Sequence, residues 1–198
     1  MHPEVADFPS RQFYKGKLCP IPLPHQEATI SLPRIAFYDC VPDALELGHS
    51  PKGNPAEARL IARLSVEEYE RFVAQNGAFD PHKDLGIIVP YRRQIALVRK
   101  ALLQSAHSEL AEVTIDTVER FQGSECNTII YGFTVSRTSQ LAFLCGTLFE
   151  DEYGQRVDRK LNVALTRARE RMLIVGYRPL LERVPLFREL IEFCKPGH

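Results

Sequence analysis

Short apolar runs alternate along this chain with longer stretches in which apolar positions recur every three or four residues. Runs of strand length fall at 35–40 (IAFYDC), 85–90 (LGIIVP), 113–118 (VTIDTV), 127–134 (NTIIYGFT) and 172–175 (MLIV). The last is wholly apolar and closed by Gly176, which suits a strand buried on both faces of a parallel sheet. Between the runs the spacing is helical. Asn54, Pro55 and Glu57 form a capping residue, a proline at the first helical position and a glutamate at the third, so a helix is expected over 55–75 with Leu60, Ile61, Leu64 and Phe72 inward. Ile95, Val98, Leu102 and Leu103 mark a second helix, with short closing helices over 179–181 and 187–193. Leu161, Ala164, Leu165 and Ala168 mark a further one, while Asn162, Thr166 and Arg169 follow the same spacing on another side. Strand, tight turn and helix in repeated order predict an α/β fold with its ligand surface at the carboxyl ends of the strands.

Two regions lack this periodicity. Residues 1–33 are proline-rich and read as an extended N-terminal arm over a single domain at 34–198, with Phe8, Phe13 and Tyr14 as its anchors. Residues 136–156 show no clear pattern beyond an apolar part at 141–148 and an acidic tip at 150–152.

Composition narrows the class. A chain of 198 residues, 44% hydrophobic, supports one good core and is too short for two comfortable domains. Its 25 basic and 25 acidic residues cancel, so a nucleic-acid surface has to come from local clustering, as at Arg156, Arg159, Lys160, Arg167, Arg169 and Arg171. Cys19, Cys40, Cys126, Cys145 and Cys194 form no C-x-x-C pair and read as reduced, packed thiols rather than metal ligands. No apolar run approaches the roughly 20 residues that span a bilayer, so a cytoplasmic protein with no membrane partner is expected.

Two strings carry chemistry. L-N-V-A-L-T-R-A-R at 161–169 resembles motif VI of the Upf-like branch of superfamily I helicases, and T-V-E-R-F-Q-G-S-E at 117–125 resembles its motif V, with Glu119 in place of the usual aspartate. The start of the chain, M-H-P-E-V-A-D-F-P-S, is similar to the segment after the family's Gln-Tyr-Arg, which on this resemblance would lie just before Met1. The resemblance implies a RecA-like P-loop NTPase fold with a mostly parallel sheet, here the C-terminal lobe of an ATP-dependent helicase. It implies Arg167 as arginine finger, Gln122, Gly123 and Glu125 beside the nucleotide, and Pro90, Tyr91, Gln94 and Thr117 on a single strand of DNA or RNA. The role of Arg137, two residues after Val135 rather than one, stays open.

The chain contains no G-x-x-x-x-G-K-[ST] loop and no D-E-A-x box, so ATP with magnesium would be held mainly by an N-terminal RecA-like partner lobe. The isolated chain is then expected to be inactive. A stand-alone RecA-like binding or regulatory module is the alternative. A doubly wound nucleotide enzyme lacks its G-x-G-x-x-G after any strand.

Overall fold

The computed structural model of the chain describes residues 1–19, 30–43, 52–121, 125–145, 148–150 and 156–197. In chain order its elements are α1 (Pro3–Tyr14), β1 (Ile35–Asp39), α2 (Pro55–Asn76), β2 (Leu85–Ile88), α3 (Arg92–Leu102), β3 (Thr114–Asp116), β4 (Cys126–Gly132) and α4 (Thr138–Cys145). They continue with β5 (Leu148–Glu150), β6 (Arg156–Asp158), α5 (Arg159–Leu165), β7 (Ala168–Gly176), α6 (Arg178–Leu181), α7 (Pro185–Phe193) and β8 (Lys195–Pro196).

Six strands form one sheet in the order β3-β2-β4-β7-β1-β8, and every pairing in it is parallel. β5 and β6 make a separate antiparallel pair. Side chains of consecutive strand residues point to opposite faces, and both faces are covered. Ile129, Tyr131 and Phe133 with Met172 and Ile174 pack against α1, α5 and α7 through Phe8, Leu161, Leu165 and Phe187. Ile130, Leu173 and Val175 pack on the other face against Ile61 and Leu64 of α2 and Val98 and Leu102 of α3. Continuous apolar runs are what a strand buried on both sides requires.

The first 14 residues depart from the expected extended arm. Pro3 to Tyr14 is a helix whose residues join the main core, so it is part of the domain and not an arm laid over it. His2 caps it by accepting from the Glu4 N–H, and Pro3 sits at the first turn, where its missing N–H is harmless. Pro9 removes one internal bond, a loss that burial of Val5 and Phe8 outweighs. Phe13 is partly buried against the core, while Tyr14 is more exposed and accepts from Asn162 Nδ2 at 3.1 Å. Two smaller differences follow from packing. Leu103 lies past the end of α3 and is exposed, and residues 195–196 add a short edge strand beside β1.

The expected basic cluster does not form one patch, because Arg171 points into the fold. Its guanidinium pairs with Glu68, whose other oxygen accepts from Arg71 Nη2 at 2.7 Å and from Thr128 Oγ1 at 2.8 Å. Arg171 Nε also donates to the Pro33 carbonyl at 2.9 Å. This buried network ties α2 to β4, to β7 and to the lead into β1. Removing one member of a buried pair leaves a charge without compensation. Arg171→Met is therefore expected to lower unfolding stability by about 3 kcal/mol, with Glu68→Leu/Arg171→Met recovering much of the loss, as read from urea midpoints.

Candidate functional site: two edges of one sheet

Because all six strands run the same way, the loops sort onto two opposite edges. Thr117 follows β3, Pro90 and Tyr91 follow β2, and Thr134 follows β4, all at the carboxyl edge. Glu125 precedes β4 and Arg167 precedes β7, at the amino edge. α5 runs between the two edges and carries motif VI from Lys160 at one to Arg167 at the other.

At the amino edge the Cys126 N–H donates to the Arg167 carbonyl at 3.1 Å, which sets Glu125 beside Arg167. Arg169 Nε donates to Glu125 Oε2 at 3.2 Å across an exposed pair. Such surface pairs contribute about 1 kcal/mol or less, so an incoming ligand can displace this one. Arg167 is half-buried. Its Nε is buried with no hydrogen-bond partner, and among the described residues no carboxylate pairs with its guanidinium. Asn162 Oδ1, one turn earlier on α5, is likewise buried without a donor. His2 N donates to the Arg169 carbonyl, so α1 also reaches this edge. Gln122 and Gly123 lie outside the described residues. No group of three or more His, Cys, Asp or Glu side chains among the described residues is placed to hold a metal ion.

The carboxyl edge is built differently. Tyr91 is buried and caps α3 without a side-chain bond, its ring tilted on Phe143 with centroids 5.3 Å apart. Thr117 is half-exposed, and its carbonyl accepts from the N–H groups of Arg120 and Phe121 to close the turn after β3. Glu119 pairs with Lys160 at 2.8 Å across a half-exposed pair and so joins this turn to the start of α5. Burial would raise the Glu119 carboxyl, but the hydrogen bond from Lys160 and those from Thr117 and its own backbone leave it lowered overall. Asp158 caps α5 by accepting from the N–H groups of Lys160 and Leu161.

Gln94 corrects the expectation that it touches a strand. Its side chain is 0% exposed, accepts from Asn54 N at 2.8 Å and donates to the Asn54 carbonyl at 3.0 Å. It fixes the loop before α2 to α3 and presents nothing outward.

Glu57 corrects the capping reading of N-P-A-E. The Glu57 N–H does donate to Asn54 Oδ1, but the carboxylate turns inward to Thr134 instead of back to Asn54. Thr134 N donates to both carboxylate oxygens at 2.9 Å and Thr134 Oγ1 to one at 3.0 Å. Thr134 has φ 55, a left-handed conformation that a β-branched residue rarely adopts. Gly132 makes room for this approach, since a Cβ there would stand 2.7 Å from Glu57 Oε1. Spacing alone could not show this, because the partner lies 77 residues away in sequence. Burial pushes the Cys126 thiol up to about 11 and the Cys40 thiol up to about 12, so neither is a ready thiolate at neutral pH.

The family profile described as "AAA domain" matches residues 1–179. The chain is 32% identical over 212 residues to the Regulator of nonsense transcripts 1 homolog of Drosophila melanogaster, covering 98% of this chain and 16% of that protein. It is 28% identical over 204 residues to Helicase SEN1 of Saccharomyces cerevisiae, covering 98% of this chain and 9% of that protein. The chain thus spans less than a fifth of either relative. The C-terminal domain of a possible DNA helicase from Lactobacillus plantarum WCFS1 shares the fold, with a TM-score of 0.53, 12% identity, and coverage of 99% of this chain and 96% of that one. No helix among the described residues is long and apolar enough to cross a membrane.

Burial pushes the Glu57 carboxyl up from 4.5 to about 8, against the opposing hydrogen bonds from Thr134. A carboxyl raised on folding favours the native state in its protonated form. That contribution is fully present below about pH 4.5 and is lost as pH climbs toward about 8. Glu57→Gln is expected to flatten the fall in urea midpoint between these values, and an unchanged slope would reject the assignment.

Proposed function

The chain belongs to the AAA domain family as the C-terminal RecA-like domain of a superfamily I helicase, and from that premise we propose that Arg167 is the arginine finger of an ATP-driven strand motor. The observation that carries this reading is the Arg167 guanidinium, whose buried Nε–H has no acceptor among the described residues while the neighbouring Arg169 has Glu125. A buried donor left unpaired costs about 1–3 kcal/mol, so the half-buried side chain gains by turning outward to a phosphate oxygen of a docked neighbour. Arginine suits the task because its planar fork meets phosphate with paired, charge-assisted bonds.

The chain lacks a phosphate-cradling loop, so an N-terminal RecA-like lobe would hold ATP and magnesium. ATP supplies the driving phosphoryl transfer, and Arg167 would neutralise charge that grows on its terminal phosphate. Gln122, Gly123 and Glu125 would border the nucleotide, with Glu125 exchanging Arg169 for a ribose hydroxyl. Single-stranded DNA or RNA would run along the opposite edge over Pro90, Tyr91 and Thr117, mainly by backbone contacts. Gln94 serves this surface indirectly by holding α3 and the loop before α2 together. The Glu119–Lys160 pair and α5 join the two edges, so closure on the nucleotide would shift the grip on the strand.

In the two-lobe parent, Arg167→Ala is expected to reduce strand-stimulated ATP hydrolysis by about a thousandfold or more while strand affinity stays close to wild type. Wild-type turnover in that variant would reject Arg167 as the arginine finger, whereas a two-lobe parent that hydrolyses no ATP even with strand present would point to a catalytically inactive RecA-like regulatory module. The 198-residue chain alone is expected to hydrolyse ATP no faster than a buffer blank in a coupled phosphate assay.

A further inference from the structure

We propose that Phe143, on α4, is a stacking platform for an unpaired base of the strand that passes the carboxyl edge. The residue belongs to neither motif, and it lies in the stretch whose sequence shows no periodic pattern. The proposal rests on the reading of that edge as the strand-binding surface.

Phe143 is 55% exposed, although Leu141 and Leu144 of the same helix are buried. Its helix is anchored. Leu141 and Leu144 are buried in the core, and the Gln140 side-chain oxygen accepts from Ser136 N, Ser136 Oγ and Arg137 N, which fastens α4 to the turn after β4. The ring is therefore presented from a fixed position, supported by Tyr91 at 5.3 Å between centroids. Lys160 Nζ stands 5.7 Å from the ring centroid while paired with the exposed Glu119. Arg92 and Arg93 are exposed directly after Tyr91.

An accessible aromatic face beside exposed cations is the arrangement that grips single strands, phosphates meeting the cations and a base lying on the ring. A protein partner would be expected to bury the ring in a wider apolar surface. Here charged groups flank it, the cations Lys160, Arg92 and Arg93 with the carboxylates Glu119 and Asp158; Glu119 is taken up by Lys160 and Asp158 by capping α5, which leaves Arg92 and Arg93 to meet a polyanion. Every base offers a π-face, so the contact would tolerate any sequence.

The chain contains no tryptophan, so Phe143→Trp introduces a single fluorescent reporter. Titrating the 198-residue chain with oligothymidylate is expected to quench that emission, and an abasic oligonucleotide of equal charge to quench it far less. By fluorescence anisotropy, Phe143→Ala is expected to weaken binding of the base-bearing strand about tenfold or more, with affinity for the abasic strand unchanged and Phe143→Tyr restoring the difference. Equal affinity of Phe143→Ala and wild type for oligothymidylate overturns the platform and leaves the strand-binding reading standing. Wild-type chain that binds neither oligonucleotide overturns both. Loss of self-association in Phe143→Ala at undiminished strand affinity makes the ring a protein contact and rejects the proposal.

Discussion

The parallel register of β2, β4 and β7 is the constraint from which the rest of this domain follows. Strands that all point one way have two chemically distinct ends, and a chain threading between them must return across a face each time. Every loop is thereby assigned to one side or the other. Motif V illustrates the effect. Its first residue, Thr117, ends β3 at one edge, and its last, Glu125, opens β4 at the other. Motif V thus begins at one edge and ends at the other, and α5 leads from one to the other again toward Arg167. The two edges are connected by covalent chain without any element having to move relative to the core.

Much of this was legible in the order of residues. Apolar runs at 85–90, 127–134 and 172–175 announced strands because burial on both faces removes polar alternation, and the sheet contains them. The stop of α2 is equally plain, with Gly77 in the left-handed conformation just beyond Asn76. What stayed hidden has a common cause. Glu57, Glu68, Gln94 and Arg171 are polar residues on elements that read as ordinary amphipathic helices or strands, yet all four are buried. Polarity predicts exposure only when no partner waits inside, and the partners here come from distant parts of the chain. α1 was obscured for a different reason, since two prolines within a dozen residues resemble a loop until the packing of Val5 and Phe8 is known.

The buried polar groups also separate two kinds of arginine only four residues apart in the chain. Arg171 has Glu68, Arg71 and Thr128 around it and is fixed by structure. Arg167, four residues earlier, has a buried donor with no acceptor among the described residues. The same side chain therefore acts as a brace in one place and as an unsatisfied hydrogen-bonding group in the other. Sequence position cannot tell them apart, and their surroundings do.

The sheet also ends in a protective way. Its two outermost strands, β3 and β8, are three and two residues long, and β8 contains Pro196. Long, flat, unpaired margins recruit strands from other molecules, whereas short ones interrupted by proline offer little to copy. A lobe built like this resists ribbon-like clumping with its own kind, whatever it docks against along its loops.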